Sequence, residues 1–65
     1  MHKFNDIVEI RLLRPFIVSD ERPDLEVKRY RARIVAMQNG QPTSFEVVHS
    51  GRVYYLQDFD CEIVS

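Results

Sequence analysis

Lys28-Arg29-Tyr30-Arg31-Ala32-Arg33-Ile34-Val35-Ala36-Met37 decides the fold of this 65-residue chain. Read with a period of two, the stretch places Arg29, Arg31 and Arg33 on one face. Tyr30, Ala32, Ile34 and Ala36 then fall on the other, which is the pattern of a half-buried strand. Read as a helix, Val27, Tyr30, Ile34 and Met37 fall at i, i+3, i+7 and i+10 and form one stripe. Each reading has local support. Arg, Ala, Met, Gln and Glu are good helix formers, and Asn39-Gly40 followed by Pro42 is a helix stop. Against that, Val27, Ile34 and Val35 are β-branched and favour a pleated surface. Asn39-Gly40 is also the strongest short hairpin signal, because both turn residues need positive φ. The strand reading leads and makes the chain mainly β. The helix reading makes it α+β, with a helix over about residues 24–38 packed on an antiparallel sheet.

Working outward, Ile7 to Leu13 alternates, with Val8, Ile10 and Leu12 on one side and Ile7, Glu9 and Arg11 on the other. That is a strand. Arg14-Pro15 ends regular pairing, since proline has no ladder donor. Phe16-Ile17-Val18 continues extended, and Ser19-Asp20-Glu21-Arg22-Pro23-Asp24 is a polar loop with a proline brake. Beyond the hairpin signal, Thr43 to His49 and Val53 to Gln57 read as strands joined by a turn at Ser50-Gly51. Asp58-Phe59-Asp60 is a short break, and Cys61 to Val64 is a final short strand.

This order of elements resembles the SH3-like small barrels, which commonly end in a strand, a 3₁₀ turn and a short closing strand. Lys3-Phe4-Asn5-Asp6-Ile7-Val8 looks like the polar entry and first strand. Arg29-Tyr30-Arg31-Ala32-Arg33-Ile34-Val35 looks like the second strand of Tudor-type modules, in which an aromatic-Arg-Ala-x-aliphatic run is common. Phe45-Glu46-Val47-Val48 would be the third. The resemblance implies a barrel of about five antiparallel strands acting through binding. Methyl-reading Tudor modules use a cage of aromatics. Tyr54, Tyr55 and Phe59 are the nearby candidates but form no recognisable cage, so methyl-ligand reading does not carry over.

Composition bounds the rest. Residues 1–65 make one small domain, and a chain this short buries only about 60% of its unfolded surface. Cys61 is the only cysteine, so no intrachain disulfide staples it. His2, His49 and Cys61 have no recognised zinc spacing. The Met1-His2-Lys3-Phe4-Asn5-Asp6 terminus has no apolar h-region and no apolar run approaches a bilayer span. A soluble, cytoplasmic protein without membrane contact is expected. Net charge is −1, which gives no bulk attraction to nucleic acid or anionic lipid. Its distribution is uneven: Arg22, Lys28, Arg29, Arg31 and Arg33 cluster, while Asp58, Asp60 and Glu62 form an acidic group.

No constellation for catalysis emerges. Nucleophilic chemistry needs a nucleophile, a base and an orienting group in reach, and none of the serines, Thr43 or Cys61 sits in a recognisable motif. Cys61 reads as a small core residue. Asp58 and Asp60 read as turn formers, through local backbone hydrogen bonds, rather than as metal ligands. No catalytic residue, metal or cofactor is expected.

The arginine ridge is the candidate site. Alternate strand residues stand about 6.7 Å apart, a spacing that suits phosphates. The interleaved aromatic, Tyr30, faces the other way. Glu9 and Glu46 on adjacent strands are candidates to neutralise the ridge. Apolar doublets at Leu12-Leu13, Ile34-Val35, Val47-Val48, Tyr54-Tyr55 and Ile63-Val64 put one member of each outside a single interior. Read with period two, Val35 and Met37 join the arginine face. The leading expectation is therefore a regulatory or protein-interaction module. Its contact face comprises Arg29, Arg31, Arg33, Val35 and Met37, with Tyr54 or Tyr55, and its partner carries an acidic patch. The alternatives are nucleic-acid binding through the Arg29, Arg31 and Arg33 ridge, and a small structural subunit of a homo-oligomer.

Overall fold

Residues 29 to 38 are a strand. The computed structural model describes residues 1–18 and 24–65, so most of the polar loop at 19–24, with Asp20, Glu21 and Arg22, lies outside the described residues. Five strands follow in chain order: β1 (Ile7–Leu12), β2 (Arg29–Gln38), β3 (Gln41–His49), β4 (Arg52–Gln57) and β5 (Cys61–Ile63). They form one antiparallel sheet in the order β4-β3-β2-β1-β5. The sheet is not closed, and β4 and β5 are its edges. Among the described residues there is no helix.

The helix alternative for 24–38 fails because Arg29–Gln38 is a strand paired along both sides, with β1 and with β3. Val27 is exposed, Ile34 is fully buried, and Tyr30 and Met37 are half-buried. The period-two reading holds through Ile34, with Ala32 and Ile34 buried and Arg29 and Arg31 exposed. Pairing on both sides fixes the register: Arg31 lies opposite Glu9 of β1, and Arg33 lies opposite both Ile7 of β1 and Glu46 of β3.

Two tight turns organise the meander. Asn39 and Gly40 have φ of 53° and 78°, and Ser50 and Gly51 have 52° and 76°. Paired positive φ is the requirement of the type I′ hairpin, whose twist matches the flanking strands. A Cβ placed on Gly40 would meet nothing within 4 Å. Gly40→Ala should therefore cost only the left-handed backbone penalty, about 1 kcal/mol, read as a shift in the urea midpoint with unchanged m-value.

The core lies on one side of the sheet. Val8, Ile10 and Leu12 of β1 meet Ala32 and Ile34 of β2, Phe45 and Val47 of β3, Tyr54 and Leu56 of β4, and Cys61 of β5. A single sheet needs a cover, and the connection between β1 and β2 supplies part of it. Phe16 and Leu25 exchange backbone hydrogen bonds of 2.9 and 3.2 Å. Leu25 is fully buried, and Phe16 packs edge-on against Tyr54 at 5.8 Å between ring centres.

The regular alternation of β2 breaks after Ile34. Ile34 pairs with Phe45, but Ala36 pairs with Ser44 and Met37 with Pro42, so the register shifts twice. The bulge leaves Val35 without a direct partner and reverses the faces beyond it. Met37 consequently packs against the core instead of sharing the arginine face. This corrects the expectation from unbroken period two.

Candidate protein-interaction face

The outer side of the sheet presents Arg29, Arg31 and Arg33 of β2, and it is not uniformly polar. Register places Ile7, Arg33, Glu46 and Tyr55 in one row across β1, β2, β3 and β4. Glu9 and Arg31 pair in the next row, and Val48 pairs with Val53 across β3 and β4. Ile7 and Val48 are about two-thirds exposed, at 60% and 64%, and Val53 and Tyr55 are also exposed.

The three arginines differ in what already holds them. Arg33 is the most constrained. Its Nε and Nη2 donate to Glu46 Oε1 at 3.2 and 3.1 Å, and its Nη1 donates to Asn5 Oδ1. The Tyr55 hydroxyl donates to the other Glu46 oxygen at 3.2 Å. Asn5 is held in place by its own backbone, with φ of 75° and an N–H donating to the Ile34 carbonyl at 2.8 Å. This network binds β2, β3 and β4 to the N-terminal turn. Arg29 makes a looser pair with Glu9, Nη1 to Oε2 at 3.6 Å, between two largely exposed side chains. Such exposed pairs contribute little. Arg31 is exposed and makes no ion pair among the described residues.

Arg31 also occupies the centre. A shallow open cleft of about 450 Å³ runs along it on the β1 side, lined by Ile7, Glu9, Arg29, Tyr30 and Ser65 among others. A second, of about 230 Å³, lies on the β3 side, with Ile7, Arg33, Glu46 and Val48. Arg31 therefore lines both hollows, together with exposed Ile7.

The remaining expected site residues separate. Tyr55 lies on the outer face, whereas Tyr54 is buried in the core and is not available to a partner without rearrangement. Val35 is half-buried in the bulge, and Met37 belongs to the core side. Ile7, Glu9 and Val48 also line the clefts on this face, and the contact set read from the sequence omits them. The signal for them was present: Ile7 shares the parity of Glu9 and Arg11, and Val48 is the outward member of the Val47-Val48 doublet. His49, at the end of β3, packs edge-on against Tyr30 at 5.4 Å. The Tyr30 hydroxyl in turn accepts from the Glu26 N–H at 3.0 Å.

The acidic group near the C-terminus does structural work at its turn. The Asp60 carboxylate accepts from the Gln57 N–H at 2.9 Å, and its backbone closes the turn and pairs with Leu13. Arg14 reaches the same carboxylate at 3.4 Å. Cys61 beside it is buried, and burial, helped by the charges of Asp60 and Asp58, pushes its thiol up to about 11. A raised folded pKa means that the folded chain keeps its proton after the unfolded chain has lost it. The thiol's contribution is therefore complete below the unfolded value near 9 and is lost as pH rises towards 11. Alkylation of Cys61 at neutral pH should be much slower than that of free cysteine. In Cys61→Ala, stability should fall less between pH 9 and 11 than in the parent; parallel pH profiles would contradict this.

No protein-family model, curated protein or solved structure matches the chain.

Proposed function

We propose that this chain is a non-catalytic, SH3-like binding module that recognises a protein partner through the outer face of its sheet. The observation that carries the reading is the situation of Arg31, which makes no ion pair among the described residues and lines two shallow clefts, both with exposed Ile7 and one with exposed Val48. Apolar surface beside an exposed arginine that makes no ion pair among the described residues suits a protein interface, where arginine is enriched around an apolar centre. An acidic patch on the partner would meet Arg31 and displace the weak Arg29–Glu9 pair. Ile7 and Val48 would supply the buried apolar area.

The same geometry weakens the nucleic-acid alternative. Arg33 is bound to Glu46 and Arg29 lies beside Glu9, so two carboxylates line the ridge that a phosphate backbone would follow. Tyr55, an exposed aromatic on this face, has its hydroxyl tied to Glu46.

Affinity capture with the intact chain tests the reading. The Arg29→Ala, Arg31→Ala, Arg33→Ala triple variant should fold, judged by circular dichroism, and lose the captured protein. An unchanged capture by the folded triple variant would contradict it. Titration with mixed DNA and RNA oligonucleotides at two salt concentrations decides the other class. Binding that falls steeply with salt would establish nucleic acid as the partner.

A further inference from the structure

The open edge of β4 carries a self-complementary set of groups that is unused among the described residues, and we infer that two copies of this chain pair there as an antiparallel dimer. The hydrogen-bond phase of the edge is fixed by one contact, the Asp58 N–H donating to the Thr43 carbonyl at 3.1 Å. In an antiparallel ladder both backbone groups of a residue point the same way, and direction alternates along the strand. Asp58, Leu56, Tyr54 and Arg52 therefore turn their backbone groups towards β3. Gln57, Tyr55 and Val53 turn theirs outward, to the edge that no strand of the sheet occupies.

Gln57 is already satisfied. Its N–H is held by the Asp60 carboxylate, and its carbonyl accepts from the Asp60 N–H at 3.0 Å. Val53 and Tyr55 have no such partner among the described residues. They expose two donors and two acceptors at the spacing of a ladder. One register uses all four in both copies: Val53 opposite Tyr55 of the second copy, with the two-fold axis at Tyr54. Shifting the axis to Val53 would match Tyr55 with Gly51, which has left the strand with φ of 76°. Shifting it to Tyr55 would match Val53 with Gln57, whose N–H is occupied.

Side chains agree with the same register. On the outer face, exposed Val53 meets exposed Tyr55 of the other copy, twice, an aromatic–β-branched pairing that stabilises sheets. Val48, already opposite Val53, extends the apolar patch on both sides of the axis. On the opposite face, Arg52 comes diagonal to Asp58 of the second copy, also twice. Both are exposed and neither makes an ion pair among the described residues. Within β4 the edge carries no proline, lysine or bulge. Natural edges are commonly protected by proline, lysine, bulges or shortness. β5 has three residues, whereas Arg-Val-Tyr-Tyr-Leu-Gln of β4 runs for six, with regular pairing to β3. The near-neutral chain, at net charge −1, opposes self-association little. Arg31 lies on β2, beyond β3 from this edge, so the dimer leaves it open.

Sedimentation of the intact chain over a wide concentration range tests the inference. The expected result is a shift from monomer to twice the monomer mass. Val53→Pro removes an outward donor without breaking a β3 bond, and should weaken the dimer about tenfold or more. Arg52→Asp should weaken it by a similar factor, and Arg52→Asp with Asp58→Arg should restore it, a rescue that misfolding cannot mimic. A parent chain that stays monomeric throughout overturns the inference and leaves the edge to a foreign strand. Association unchanged in both Val53→Pro and Arg52→Asp overturns it too, because another surface would then be responsible.

Discussion

Ile34→Ala is expected to destabilise the chain by about 3 kcal/mol. Ile34 is fully buried on the central strand, paired with Phe45 and packed in the single core that Ile10, Leu25 and Leu56 share. Two costs add: the lost transfer free energy of three carbons and the cavity that neighbours on two flanking strands cannot collapse to fill. A domain of this length has a total stability of roughly 3–10 kcal/mol, so the substitution removes a large part of it. Thermal unfolding should move down by about 15 °C. Ile7→Ala is the internal comparison. Ile7 stands on the same sheet but on the outer face, 60% exposed, and should change stability by no more than about 0.5 kcal/mol. Equal costs for the two would mean that the faces have been assigned the wrong way round.

Arg31→Glu is expected to show the opposite profile, with stability nearly unchanged and partner capture weakened about a hundredfold. The expectation follows from the division of labour among the arginines. Arg31 is exposed and makes no ion pair among the described residues, so the fold loses little when it is reversed. A partner carboxylate meeting it would face a like charge. Arg33→Ala should behave differently. It strands Glu46 and releases Asn5, so its effect includes a stability loss of about 1 kcal/mol from a half-buried charged network. Denaturant midpoints and capture titrations on the same two variants separate the roles.

Much of this arrangement is legible in the sequence because it rests on periodicity. Val8, Ile10 and Leu12 alternate with polar neighbours, and burial follows that alternation. Asn39-Gly40 and Ser50-Gly51 adopt paired positive φ, which glycine takes without a Cβ penalty and asparagine tolerates. The arginines of β2 do share a face, and Glu9 and Glu46 do approach Arg29 and Arg33. What escaped was whatever depends on a partner strand. A bulge at Val35 is a property of the β2–β3 register, not of β2 alone, so unbroken alternation assigned Met37 to the wrong side. Tyr54 and Tyr55 are adjacent and identical, and only the phase of Leu56 distinguishes them: buried Leu56 requires Tyr54 inside and Tyr55 outside. Leu25 stands among polar residues and shows no periodicity, yet it covers the core through its bridge to Phe16. The two hollows beside Arg31 arise from side chains of three strands, which no single stretch displays.

Docking of the partner on the outer face around Arg31 can be read by mapping amide chemical shifts of the labelled chain as the captured partner is added. The largest changes are expected at Ile7, Glu9, Arg29, Arg31 and Val48, with Leu13, Phe59 and β5 little affected. Changes concentrated at Leu13, Phe59 and β5, with the Arg31 surroundings unmoved, would contradict it.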